Sequence, residues 1–156
     1  MATLNFAAQI EDWARRVEGA TEAIFKEAAQ ELADQVDQTL VQMVYGAPVS
    51  PSGYRRTGFL RSSLMASTTS MPVINAAANP AGEGSYTYNG EEIAAVIAGA
   101  ELGGPPIFMG YVAAYSGMVH AGVNGRPPRP WVTLAAQRWD SIVADKAAEL
   151  KKRLGL

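Results

Sequence analysis

Residues 122–134 read Gly-Val-Asn-Gly-Arg-Pro-Pro-Arg-Pro-Trp-Val-Thr-Leu, and the fold turns on what this stretch must deliver. Proline fixes φ and has no amide hydrogen, so Pro127, Pro128 and Pro130 are expected to hold the segment extended, with Pro130 pre-set for the first turn of a helix. From there Val132, Ala136, Trp139, Val143, Ala147, Leu150 and Leu154 recur at steps of three and four. That period predicts a C-terminal helix over 130–154 with one apolar stripe, which needs a surface to cover.

Working outward, the surface is supplied by the first third of the chain. Phe25, Ala28, Ala29, Leu32, Val36, Leu40 and Met43 form a second stripe, with Glu27, Glu31, Asp34, Gln35, Asp37 and Gln38 on the wet face. The spacing predicts a long helix over 21–45, stopped by Gly46 and Pro48. Ahead of it Phe6, Ile10, Trp13 and Val17 give a short helix over 1–19. Gly19 is read as the break between the two, and Thr21 as the cap of the restart.

Between the helices the signals are weaker. The stretch 47–54 is loop chemistry, Thr57 is positioned to cap a single helical turn, and 64–71 reads as a surface strand. Residues 72–90 are small, polar and nearly uncharged, which predicts a long loop or hairpin arm within 66–90 that orders on a partner. The apolar run 92–100 reads as a buried strand, followed by the Gly103-Gly104-Pro105-Pro106 turn and a second strand over 107–112, together an antiparallel hairpin. Residues 113–120 read as a short helix leading into 122–134. The fold expected is α+β: one domain with a small, mostly antiparallel sheet packed against the long helix and the C-terminal helix.

Bulk properties narrow the function. At 156 residues one core is expected. No run approaches the ~20 apolar residues of a membrane span, and the Met-Ala-Thr-Leu-Asn start has no signal-peptide pattern, so a soluble protein with no membrane partner is expected. The absence of cysteine removes thiol nucleophiles and thiolate metal sites. A net charge of -2 argues against a dedicated nucleic-acid binder.

Catalysis finds few groups to use. His120 is the only histidine, no Gly-x-Ser-x-Gly elbow accompanies it, and Glu91 and Glu92 would point to opposite faces of a strand. The glycine pairs match no phosphate-binding pattern. No enzyme, cofactor or metal site is expected. The arginines carry more: Arg55, Arg56 and Arg61 surround Thr57-Gly58, while Arg126 and Arg129 punctuate the prolines. They are read either as internal, capping carbonyls or pairing with acids of the long helix such as Glu27, Glu31 or Asp34, or as contacts to another subunit, where Arg is enriched. Trp131 and Trp139 read as core residues, with Trp131 near a rim.

The order of Arg56-Thr57-Gly58-Phe59-Leu60-Arg61-Ser62-Ser63-Leu64, then Tyr115-Ser116-Gly117-Met118-Val119-His120-Ala121-Gly122, then Arg129-Pro130-Trp131 at the last helix resembles the tail-completion, or neck, proteins of long-tailed bacteriophages. That group includes tail-terminator and minor-tail-protein-Z-like sequences. The resemblance spans most of the chain from about residue 20. It departs in the spacing before Val119 and in the Ser/Ala/Asn/Gly-rich stretch 66–90.

What the resemblance implies is a non-enzymatic virion subunit, assembled in the host cytoplasm. It would close into a ring with copies of itself, six-fold in that family, between the head connector or stopper and the tail tube. DNA would pass through without sequence-specific binding. Arg55, Arg56, Arg61, His120, Arg126, Arg129 and Trp131 are then candidates for subunit contacts, and Glu27, Glu31 and Asp34 for a channel face that repels DNA. Two rivals remain: a small nucleic-acid-binding module using the arginine clusters, and a hydrolase using His120.

Overall fold

The structure, a computed structural model, describes residues 2–47, 57–80 and 85–155, with side chains described from residue 8. Its elements confirm the expected α+β class. In chain order they are α1 (Ala2–Leu40) continuing into a π turn (Val41–Tyr45), α2 (Phe59–Ser62), β1 (Leu64–Ser67), α3 (Gly90–Gly99), β2 (Phe108–Tyr111), α4 (Ser116–Ala121), α5 (Trp131–Ala136) and α6 (Trp139–Leu154).

The first correction is that 1–19 and 21–45 are not separate helices: α1 runs unbroken through Gly19. A glycine costs about 1 kcal/mol in a helix interior, which one long cooperative helix absorbs. Thr21 does not cap a restart, because its Oγ1 donates back to the Val17 carbonyl at 2.8 Å, one turn earlier. The end of the helix also differs. Gly46 stays right-handed at φ -79 and its N–H bonds the Val41 carbonyl at 2.8 Å, closing a wide turn rather than a left-handed cap.

The second half of α1 is the spine of the core. Ala29, Ala33, Val36 and Leu40 are buried against Leu60, Leu64, Ile93, Ile97, Tyr111, Trp131 and Ala135. Small alanines let α3, α5 and α6 approach the helix closely, and α1 packs against all three.

The sheet has two strands, but they are not the expected hairpin. β1 pairs antiparallel with β2, register Leu64 with Tyr111 and Ser67 with Phe108, and the Val112 N–H extends the ladder to the Ser63 carbonyl. The stretch 92–100 is helical instead. Ile93 and Ile97, four apart, are its buried pair, and Glu91 and Glu92 sit in the first turn of α3, where negative charge suits the helix dipole. A short apolar run without β-branched alternation fits either state, and here β1 takes the strand partner that it would have needed.

The loop within 66–90 is also more tied down than expected. After β1 ends at Ser67, the Asn75 N–H bonds the Val112 carbonyl at 2.9 Å and the Ala114 N–H bonds the Ala78 carbonyl at 2.9 Å. Further on, the Tyr86 N–H bonds the Thr57 carbonyl at 2.8 Å, which lays that chain over Gly58. Gly58 has φ +83, and a side-chain carbon there would collide with the Tyr86 carbonyl oxygen, so both its backbone angle and its lack of a side chain are needed. Thr57 does support the following turn: its Oγ1 accepts the Phe59 N–H at 3.3 Å.

The C-terminal helix begins at Trp131, next to the expected Pro130, but 130–154 is two helices. The break falls at Gln137 and Arg138, with the Arg138 carbonyl accepting from Ile142 N–H and Ser141 Oγ. The buried face of α5 is rotated by one residue from the stripe expected. Trp131 and Ala135 are buried while Val132 and Ala136 face out.

Candidate interaction site

Residues 122–134 do more than launch a helix. Gly122 is at φ +74, Asn124 and Gly125 are also left-handed, and the Arg126 N–H bonds the Val123 carbonyl, so the stretch starts as a tight turn rather than an extended arm. The Arg129 N–H then reaches the carbonyls of Val119 (3.3 Å) and His120 (3.1 Å). This clasp fixes α4 beside α5 and places His120 edge-on to Trp131, ring centres 5.2 Å apart. Tyr111 meets Trp131 from the strand side, also edge-to-face, at 5.3 Å.

Above these rings lies a groove of about 320 Å³. Val36, Leu64 and Met109 contribute from α1 and the two strands, Met71, Pro72 and Ile74 from the segment after β1, and Ser116, Gly117, His120 and Val132 from the clasp region. Its rim is apolar and open: Met71 is 51% exposed, Ile74 50% and Val132 37%, with Val73 and Met118 exposed beside it. These exposed apolar side chains make the groove a candidate interaction site. Methionines adapt to a range of contact shapes, and Met71 and Met109 both line the groove.

Two polar atoms of the lining residues are unused: Tyr111 Oη and Trp131 Nε1 are buried without a hydrogen-bond partner. Burial holds the Tyr111 phenol well above its ordinary pKa, with the nearby indole N–H opposing that rise and Asp37 adding to it.

The sequence-derived site residues divide. Arg55 and Arg56 lie outside the described residues. Arg61 is an internal partner, clamping Asp37 through Nε at 2.9 Å and Nη2 at 2.7 Å, and this contact raises its pKa further. It ties α2 to α1, so the acid that arginine found is Asp37 rather than Glu27, Glu31 or Asp34. His120 and Trp131 line the groove; Thr133 Oγ1 is 3.4 Å from His120 Nε2. Arg126 is exposed and Arg129 half-buried on the clasp beside it.

The acidic candidates are engaged at least in part. Glu27 accepts from Arg153 Nη2 at 2.8 Å and Glu31 lies 4.0 Å from Lys146, both bridges joining α1 to α6. Asp34 accepts from Gln30 and from the Tyr88 hydroxyl, whose pKa is raised by burial and by that carboxylate. No group of three His, Cys, Asp or Glu able to hold a metal occurs among the described residues, and none of their helices is long and apolar enough to cross a membrane.

The sequence reading missed Met71, Pro72, Ile74, Met109 and Val132 as site residues. A signal was present in Met71, Val73 and Ile74, which are large and apolar within a stretch otherwise small and polar. Comparison with protein-family models, with curated proteins and with solved structures finds no match for this chain.

Proposed function

We propose that the chain is a structural subunit of the head–tail neck of a phage-like particle. In this reading it is a tail-terminator or tail-completion protein whose copies close a ring between the head connector and the tail tube. Six-fold symmetry, passage of DNA through the channel, and a place in the virion after assembly in the host cytoplasm all come with the resemblance on which the proposal rests. The observation that carries it furthest is the open apolar groove between β2, α4 and α5. It is bounded by two of the motif segments that resemble the family, 115–122 and 129–131. An apolar rim of exposed Met, Ile and Val side chains suits a protein partner better than a phosphate backbone or a reacting small molecule.

The nucleic-acid-binding alternative loses Arg61 as a free cation, since that guanidinium is committed to Asp37. Electron microscopy of the purified chain over a concentration series, with sedimentation velocity, tests the proposal. Closed rings of one size are expected. A chain that stays monomeric at every concentration and binds DNA with a steep salt dependence overturns it in favour of the alternative.

A further inference from the structure

The N-terminal half of α1 extends past the core and presents Ile10 (50% exposed), Trp13 (62%) and Val17 (41%) as one uncovered stripe. We propose that this arm is the occupant of the groove: Trp13 of one copy seats between Met71, Met109 and Trp131 of the next. The inference rests on the ring reading and names the contact that would build the ring.

The occupant comes from another copy because of the geometry of a single helix. Trp13 and Val36 lie on the same unbroken helix, and a rise of 1.5 Å per residue puts them roughly 35 Å apart along its axis. The arm therefore cannot reach its own groove while α1 is intact. Arm and groove are different surfaces of one chain, which makes the contact head-to-tail, the type that generates rings when the rotation closes.

Charge supports the match. Glu11 and Glu18 each follow a stripe residue, so they line one edge of it, while Asp12 is bridged to Arg16 at 2.6 Å and Glu22 to Lys26 at 2.7 Å. On the groove side, Arg126 and Arg129 lie on the clasp beside it, 102–139 contains no carboxylate, and 62–74 is uncharged. Asp37, which lies below Val36 on α1, is neutralised by Arg61. The chemistry also fits: Trp is among the side chains enriched at the energetic centres of interfaces. Three stripe residues fall short of the roughly 800 Å² per partner of a stable interface, so each contact is weak and ring closure reinforces it.

The test uses the full-length chain. Trp13→Ala on the arm and Met71→Glu on the groove rim both change exposed side chains, and unchanged circular dichroism and melting confirm that each variant folds. Each is expected to weaken self-association at least ~30-fold. Mixed in equal amounts, the two variants retain one intact arm and one intact groove between them. They are then expected to form a dimer and nothing larger, while each alone stays monomeric. A photo-crosslinking residue at position 13, in a mixture of isotopically heavy and light chains, should give heavy–light crosslinks to the groove.

Wild-type rings that persist in Trp13→Ala, or crosslinks from position 13 elsewhere, overturn the arm-in-groove contact and leave the ring reading standing. Arm-to-groove crosslinks in open chains rather than rings uphold the contact and overturn the ring. A wild-type chain that neither associates nor crosslinks overturns both.

Discussion

Removing Arg61 is the perturbation whose cost the structure defines best. The Asp37 side chain is 9% exposed and Arg61 32%, with two charge-assisted hydrogen bonds of 2.9 and 2.7 Å between them. Breaking a fully buried pair from one side costs about 3–5 kcal/mol, because the remaining charge is stranded. Here the arginine end reaches water, and two hydrogen bonds to charged groups give roughly 3 kcal/mol as the central figure for Arg61→Ala. At the usual ~2–4 °C per kcal/mol for a chain of this size, that lowers Tm by about 6–12 °C.

The asymmetry of exposure makes the prediction sharper. Asp37→Asn leaves an arginine that can turn to solvent, whereas Arg61→Ala leaves a carboxylate that cannot. The asparagine variant should therefore lose less, about 1–2 kcal/mol. The double variant should lose at least ~1 kcal/mol less than the sum of the singles. Urea unfolding at neutral pH, with m-values checked for constancy, measures all three. Arg61→Ala within about 0.5 kcal/mol of the parent, or Asp37→Asn costing more than Arg61→Ala, would refute the reasoning and demote the pair to a screened surface contact.

Gly58→Ala must fit a side chain at φ +83 against the Tyr86 carbonyl; a loss of at least ~2 kcal/mol is expected in thermal unfolding, and a neutral result would mean the crossing of 85–88 over 57–58 is dispensable. Gly19→Ala is the opposite case, since nothing lies within 4 Å of an added Cβ in mid-helix; helicity and stability should rise, the latter by up to ~1 kcal/mol, whereas a drop would show that the helix bends at Gly19. Tyr88 and Tyr111 have folded-state pKa values above the ordinary phenol value of 10.0. Their contribution is complete below pH ~10 and fades as pH rises toward their folded values, so ultraviolet titration of the six tyrosines should show a late-ionising group that coincides with alkaline unfolding; all six titrating together near pH 10 would contradict the burial of both.

Local chemistry made several features legible in the chain alone. The 3.6-residue recurrence from Phe25 to Met43 fixes the second half of α1 as the spine, Thr57-Gly58 announces a turn, and the proline cluster locates the start of the last helical region within a residue. The dependence of these on neighbours a few residues away is why they could be read. Other outcomes depended on partners far along the chain. Whether 92–100 became strand or helix turned on β1 already pairing with β2, and which side of α5 faced inward turned on Tyr111 and His120 closing over Trp131.

The candidate site divides the same way. His120 and Trp131 stand out as rare residue types in one short stretch, so the sequence singled them out as candidates. Only the tertiary structure brought Met71 and Ile74 over Met109 and Trp131 to make a groove, and left the Ile10, Trp13 and Val17 stripe without a surface to cover. An apolar stripe has the same period whether it is buried or bare, and what covers it is settled by where the rest of the chain packs.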